Sequence, residues 1–246
     1  MKFLIYNIAY GTGAPGGRCG QLLSLPRYLR TERTHLEKVI DCLAERNPDV
    51  AGLLEVDRGS FRTGYADQGI MIARALHLYA HGAVKYAPDS LPRRIPILRE
   101  QSNVFLTRSP RTPCAFHYFP SGMKRLALET ESGGVRFFLL HLALSASVRN
   151  EQLNALKEIL RPIRTPYLVG GDFNLFRGKG ELRSFMKELG LKSANRTNLP
   201  TFPSWKPEQQ LDYILYSPQI RPLRFEVGTE KASDHLPVML DFQIVS

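Results

Sequence analysis

The chain contains no run of about 18 apolar residues, the length a helix needs to cross a bilayer, so no membrane span is expected. Its first residues, Met1-Lys2-Phe3-Leu4-Ile5-Tyr6-Asn7, lack the long apolar stretch and cleavage site of a secretion signal. They read instead as a first strand. Cysteine is scarce: Cys19, Cys42 and Cys114 are odd in number and widely spaced. They form neither a metal-binding pattern nor a disulfide framework, and a reducing, cytoplasmic setting is the simplest expectation. Internal repeats and low-complexity tracts are absent, which excludes solenoids. The glycine-rich stretch Gly11–Arg18 lacks the Gly-Lys-Ser/Thr ending of a phosphate-cradling P-loop. Acidic residues are outnumbered, with 23 Asp and Glu against 33 Lys and Arg, for a net charge of +10. That balance favours anionic partners such as nucleic acid, phosphorylated small molecules or acidic lipid headgroups. The basic residues are nonetheless scattered. The densest patches are Arg27-Tyr28-Leu29-Arg30 with Arg33, Arg93-Arg94 and Lys124-Arg125, and none is a tail.

What is present is a strand-rich pattern. The 246 residues are 43% hydrophobic, enough for one sizeable core, and no linker interrupts them, so residues 1–246 read as a single domain. Strand-like runs recur at Phe3–Ala9, Val50–Val56, Asn103–Arg108, Leu126–Glu131, Val135–Leu144, Tyr167–Gly170, Leu211–Tyr216, Leu223–Val227 and Pro237–Val245. Helical spacing marks Thr31–Arg46, Asp67–Leu76, Asn150–Leu160 and Glu181–Leu189, the last ending at Gly190. Strands outnumber helices about two to one and run in meander-like groups. The expected class is α+β, with mainly antiparallel sheets packed together and helices outside. Two Pro- and Gly-rich stretches, Gly11–Pro26 and Tyr86–Pro96, read as long surface loops.

Two polar islands break this pattern. Gly171-Asp172-Phe173-Asn174 follows the apolar Tyr167-Leu168-Val169, and Ser233-Asp234-His235 precedes Leu236-Pro237-Val238-Met239-Leu240. Buried charge needs a partner or a metal, so both islands are expected at strand ends. Asn7, Glu55, His141 and Asp212 stand in similar positions. Each alone has a bland explanation: a turn former, a surface charge, a satisfied core histidine. Together they supply carboxylates, amides and imidazoles, the groups for metal-assisted attack of water on a phosphate ester.

The order Asn, Glu, His, Asp-x-Asn, Asp, Asp-His resembles the endonuclease/exonuclease/phosphatase superfamily. Its branches include pancreatic-type deoxyribonucleases, exonuclease III-type apurinic endonucleases, neutral sphingomyelinases and inositol polyphosphate 5-phosphatases. The matching segments are Tyr6-Asn7, Leu54-Glu55-Val56, Ser102–Thr107, His141-Leu142, Gly170–Asn174, Leu211–Ile214 and Ser233–Val238. They extend over nearly the whole chain. The resemblance implies a four-layer αββα sandwich, two sheets packed face to face with helices on both outer surfaces. It implies that Glu55 is the main ligand of a divalent metal, with Asn7 close by and Asp234 serving a second metal position or its loop. Hard oxygen ligands suit Mg2+, with Mn2+ as an alternative. Asp172 would orient or deprotonate the attacking water, and Asn174 would hold that water or a phosphate oxygen. His235 would act as acid/base or as a cationic stabiliser, with its tautomer fixed by Asp212. His141 matches a second histidine of the deoxyribonuclease and sphingomyelinase branches, and Asn103 a phosphate-contacting position. Lys124 is expected to meet a phosphate or an anionic surface. Trp205, on the Thr201–Pro207 loop, is expected to stack a base or line a pocket. Leu54-Glu55-Val56 lacks the Gln-Glu pair of many nucleases and looks more like small bacterial phosphohydrolases and the lipid-acting branch. The implied protein is a monomeric, metal-dependent phosphoesterase of an anionic phosphorylated substrate, a phosphodiester before a monoester. A nuclease on DNA or RNA is the alternative, a phospholipid headgroup a further substrate, and a non-catalytic binding module the lesser reading.

Overall fold

The computed structural model describes residues 1–14, 31, 33–86, 90–176 and 178–245. Most of the loop expected over Gly11–Pro26, with Cys19 and the cluster at Arg27 and Arg30, lies outside them, as does the 87–89 part of the second loop. The described strands are β1 (Lys2–Asn7), β2 (Val50–Asp57), β3 (Tyr79–Val84), β4 (Gln101–Thr107), β5 (Cys114–Tyr118), β6 (Leu126–Ser132), β7 (Val135–His141), β8 (Tyr167–Asp172), β9 (Lys192–Ser193), β10 (Asp212–Tyr216), β11 (Ile220–Val227) and β12 (Val238–Ile244). The helices are α1 (Arg33–Arg46), α2 (Gln68–Ala75), α3 (Ala146–Leu160) and α4 (Gly180–Leu189).

The strands form two six-stranded sheets, ordered β11-β12-β1-β2-β4-β3 and β5-β6-β7-β8-β10-β9. Each has one parallel pair near its centre, β1–β2 in the first and β7–β8 in the second. The remaining pairs are antiparallel. Apolar side chains separate four layers. Phe3, Ile5, Leu54 and Phe105 of the first sheet meet Phe137, Leu139, Leu168 and Ile214 of the second. Behind the first sheet, Leu36, Val39 and Leu43 of α1 and Ile72 of α2 cover Leu4, Leu53 and Leu106. Behind the second, Leu153 and Leu156 of α3 and Leu182 and Phe185 of α4 cover Phe138, Val169 and Leu215. A central strand buries both faces, which is why β1, β2 and β7 read as nearly continuous apolar runs. Phe3 and Phe137 pack edge to face across the inter-sheet core, centroids 5.0 Å apart, a geometry that adds to their burial.

The sequence reading misses β3, β5 and β9, and all three lie at sheet edges. An edge strand buries little, so its pattern is weak. Tyr79–Val84 is mostly half-exposed, and Phe116 and Tyr118 on β5 face solvent. Helix α3 also begins earlier than expected, at Ala146, because β7 stops at His141 rather than Leu144.

Gly171 is fixed by close approach. Its φ is 147°, and a Cβ there would lie 1.8 Å from the carbonyl oxygen of Leu140 on β7. Gly171→Ala is therefore expected to force β7 and β8 apart next to Asp172. A loss of about 3 kcal/mol or more follows, a drop of about 10 °C in Tm at this chain length. Thermal unfolding of the purified variant checks it.

Candidate active site

Three strand ends of the second sheet arrive in register. His141 on β7 lies beside Asp172 on β8, and Asp172 beside Asp212 on β10. Neighbours in register share a face of the sheet, so these three polar side chains gather where the apolar core ends. The first sheet closes the site from the other side. Asn7, the last residue of β1, donates from Nδ2 to Asp172 Oδ2 at 3.3 Å, and its Oδ1 accepts the Ala9 N–H at 3.2 Å. Strand β2 pairs with β4 at Leu53–Val104 and again at Val56–Ser102, leaving Leu54 and Glu55 opposite Asn103 alone. This is a β-bulge, which re-aims the extra side chain. Glu55 has a φ of 54°, held against a cost on the order of 1–3 kcal/mol for a non-glycine residue. The bulge brings the half-buried Glu55 carboxylate to 3.5 Å from Lys124 Nζ and 3.7 Å from His141 Nδ1.

Asp172 is the hub. Oδ1 accepts the Asn174 N–H at 2.9 Å. Oδ2 lies 3.3 Å from His141 Nε2 and 3.7 Å from His235 Nε2. Asn174, itself at a φ of 52°, donates from Nδ2 to Leu142 O at 2.8 Å, locking the turn after β8. Burial lifts the Asp172 carboxyl to about 6, against the pull of the His235 cation and with the push of Asp212. His235 goes the other way. Burial alone would favour its neutral ring, but the carboxylates of Asp212, Asp172 and Asp234 outweigh it and hold the imidazolium up to about 10. Its Nδ1 donates to Asp212 Oδ2 at 2.8 Å, and the same oxygen accepts the Thr201 hydroxyl at 2.7 Å. At neutral pH Nε2 therefore carries a proton aimed into the site.

His141 differs. Burial, then the cations Lys124, Lys85 and His235, keep its pKa well below the ordinary histidine value. Its Nε2 lies against Lys124 Nζ and 3.3 Å from Asp172 Oδ2, and its Nδ1 lies 3.7 Å from Glu55 Oε1. Burial would raise Glu55, but Lys124, Lys85 and His235 hold it below the usual carboxylate range. Asp234 is raised by burial, against the pull of His235 and with the push of the Glu55 charge. Two carboxylates that repel each other at the rim of a buried site make a place for a cation. Among the described residues no three His, Cys, Asp or Glu side chains form a complete metal cage. The donors that are present, oxygens of Glu55, Asp234 and Asn7, fit a hard ion that keeps most of its waters. Asn103 is 1% exposed, and neither of its amide atoms has a hydrogen-bond partner. An orphaned amide in such a position is suited to receive a ligand oxygen.

The structure thus gathers Asn7, Glu55, Lys124, His141, Asp172, Asn174, Asp212 and His235 through direct contacts, with Asn103 beside Glu55 on β4 and Asp234 next to His235. Trp205 is half-buried, and no hydrogen bond, ion pair or ring contact joins it to these groups among the described residues. The aromatic that reaches the site from its loop is Phe202, whose ring centroid lies 4.9 Å from that of His235. Two contributors were not among the expected site residues. Thr201 braces Asp212, and buried Lys85, lowered by burial to about 7 against the pull of Glu55, donates to the Tyr10 hydroxyl. A lysine just past the end of a half-exposed edge strand looks like surface charge until the fold covers it.

A four-layer sandwich with acid, amide and imidazole groups at the joined ends of its two sheets defines a class of phosphate-ester hydrolases. The chain belongs to the Endonuclease/Exonuclease/phosphatase family, whose model matches residues 4–235. No curated protein matches it. Among solved structures it is similar to an endonuclease/exonuclease/phosphatase from Beutenbergia cavernae, at 20% identity and a TM-score of 0.73, over 100% of this chain and 72% of that one. It is also similar to a mannosyl-6-phosphatase from Bacteroides thetaiotaomicron, at 15% identity and a TM-score of 0.70, over 99% and 100% of the two chains. A 3' phosphatase from Neisseria, bound to a product DNA hairpin, matches at 16% identity and a TM-score of 0.69, over 99% of each chain. At these identities the likeness shows the shared fold. No helix among the described residues is long and apolar enough to cross a membrane.

Proposed function

We propose that the chain is a divalent-metal-dependent phosphoesterase that hydrolyses a phosphodiester by direct attack of water. The observation that carries this reading is the surroundings of Asp172 Oδ2, with a near-neutral carboxyl facing an imidazolium across 3.7 Å. A base near neutrality and a fixed cation are what in-line displacement at phosphorus needs. Asp172 takes the proton of the attacking water. Asn7 and the Asn174 N–H keep its carboxylate aimed. His235 donates from Nε2 to the phosphoryl oxygen as charge builds there. Asn103 and Lys124 orient the remaining oxygens, and neutral His141 fixes Lys124 between itself and Glu55. Glu55, with Asn7 and Asp234, would hold Mg2+, or Mn2+ in its place, and the ion would polarise the phosphoryl oxygen as a Lewis acid. The protein acts as a monomer in a reducing cytoplasm, a setting in keeping with the unbonded Cys42 and Cys114.

The assay is hydrolysis of bis-p-nitrophenyl phosphate with Mg2+ or Mn2+, with and without chelator. Wild type is expected to turn over and to stop on chelation. No turnover in either metal, or equal turnover in wild type, Asp172→Ala and His235→Ala, would sink the assignment. A nucleic-acid substrate is the alternative reading, supported by the net charge of +10 and the DNA held by the Neisseria relative. Plasmid nicking that weakens steeply with salt would favour it, and no nicking at all would count against it.

A further inference from the structure

Phe176 stands two residues past Asn174, on the turn that leaves the candidate site. Its N–H donates to Asn174 O at 3.0 Å, so the ring's position is tied to the turn that orients Asp172. It remains 42% exposed. A single exposed phenylalanine is ordinary on a protein surface, but this one is the outer member of a row. Phe176 meets Phe202 at right angles, centroids 5.9 Å apart at 87°. Phe202 in turn packs on the His235 ring at 4.9 Å. Three flat groups therefore run from solvent to the imidazolium that faces the phosphoryl oxygen. The side chains around them fix the row. The Asp212 carboxylate and Thr201 hydroxyl hold His235, and the Phe202 N–H donates to Gln209 O at 3.0 Å. A preorganised aromatic ring binds a flat partner with little loss of its own freedom.

Resting on the phosphodiester reading above, we propose that Phe176 is a specificity residue. Its exposed ring, braced at a right angle by Phe202, is a shelf on which a planar ring of the ester's second substituent stacks, a nucleobase being the ring of that kind carried by natural phosphodiesters. The polar groups of the site grip the phosphate, and the shelf distinguishes a nucleoside ester from one whose substituent is a small alkyl group. Stacking of a base on an aromatic side chain is sequence-tolerant, so the shelf selects for a base without choosing which.

Two measurements on Phe176→Ala, Phe176→Leu and Phe176→Trp test this. The first compares thymidine 5'-(p-nitrophenyl) phosphate with methyl p-nitrophenyl phosphate, which share the leaving group. Wild type is expected to favour the nucleoside ester in KM. Phe176→Ala and Phe176→Leu should cut that preference about tenfold, within what one stacked base is worth. Phe176→Trp should keep it. The second needs no turnover: calorimetric binding of thymidine 5'-monophosphate against inorganic phosphate, where the same variants should lose the same preference. Turnover of neither ester with the binding preference intact overturns the phosphoesterase reading and leaves the shelf standing. A wild-type preference that is absent, or that Phe176→Ala leaves unchanged, overturns the shelf. So does an equal loss on both esters, because that would show Phe176 acting only on the turn.

Discussion

Asp172→Asn is expected to lower kcat/KM for bis-p-nitrophenyl phosphate by about 10³-fold, the middle of the range for a general base, while leaving Tm at pH 8 unchanged or higher. The two halves have one cause. Asn matches the carboxylate in shape but cannot accept a proton from water. The stability half follows from linkage. Asp172 is raised from the ordinary range to about 6 in the folded protein. The fold therefore disfavours its ionised form, and that cost grows as pH rises from the unfolded value, about 3.9, to about 6. Above pH 6 the cost is fully present, and a neutral isostere removes it. Activity and stability should thus move in opposite directions, as expected where a site holds charge against solvation. A thermal shift and a steady-state assay on the same preparation decide the matter. A variant that loses activity only in proportion to lost folded protein would show Asp172 to be structural.

Much of this was legible before the fold was known, and the reason is physical. Asp172 and His235 are charged residues set against apolar strands, and that conflict is visible in one dimension. The four helices and eight inner strands show because their periodicity records burial, and the edge strand β11, mostly open to solvent, shows only over Leu223–Val227. The strands that do not show, β3, β5 and β9, are edges with little to bury. The site's fine structure was hidden for a different reason: it is made of non-local relations. The Glu55 bulge exists only relative to β4. The in-register row of His141, Asp172 and Asp212 exists only once β7, β8 and β10 are neighbours. Lys85 becomes a buried group only when Tyr10, 75 positions away along the chain, covers it. Trp205 is the ring of the Thr201–Pro207 loop expected at the site, yet Phe202 is the ring that meets His235, a distinction set by the backbone path between Thr201 and Asp212. In short-range pattern the two aromatics are equivalent.

Asp212→Asn is expected to cost little at pH 6 and about 10²- to 10³-fold in kcat/KM at pH 9, the scale of losing one preorganised donor to a developing oxyanion. Asp212 does not touch the reacting atoms in the proposed mechanism; it is a positioning residue that acts through His235. In wild type the imidazolium is the competent form. It is present below the raised pKa of about 10 and is lost as pH rises through that value. The alkaline limb of the wild-type profile is therefore expected near pH 10. Asp212 is the leading cause of the rise, ahead of Asp172 and Asp234, and only burial opposes them. Removing its charge moves the limb down toward the ordinary histidine range, about 6.5. The amide oxygen of Asn can still accept from Nδ1 and from Thr201, so the ring keeps its place and its Nδ1–H tautomer. Above the lowered pKa, Nε2 then presents a lone pair where the phosphoryl oxygen needs a proton. Donor becomes acceptor with no change in geometry, which is why the penalty grows with pH. A profile of kcat/KM from pH 5 to 10 for both proteins reads this directly. A penalty that stays constant across the range would mean that Asp212 holds the loop in shape and does not set the charge of His235.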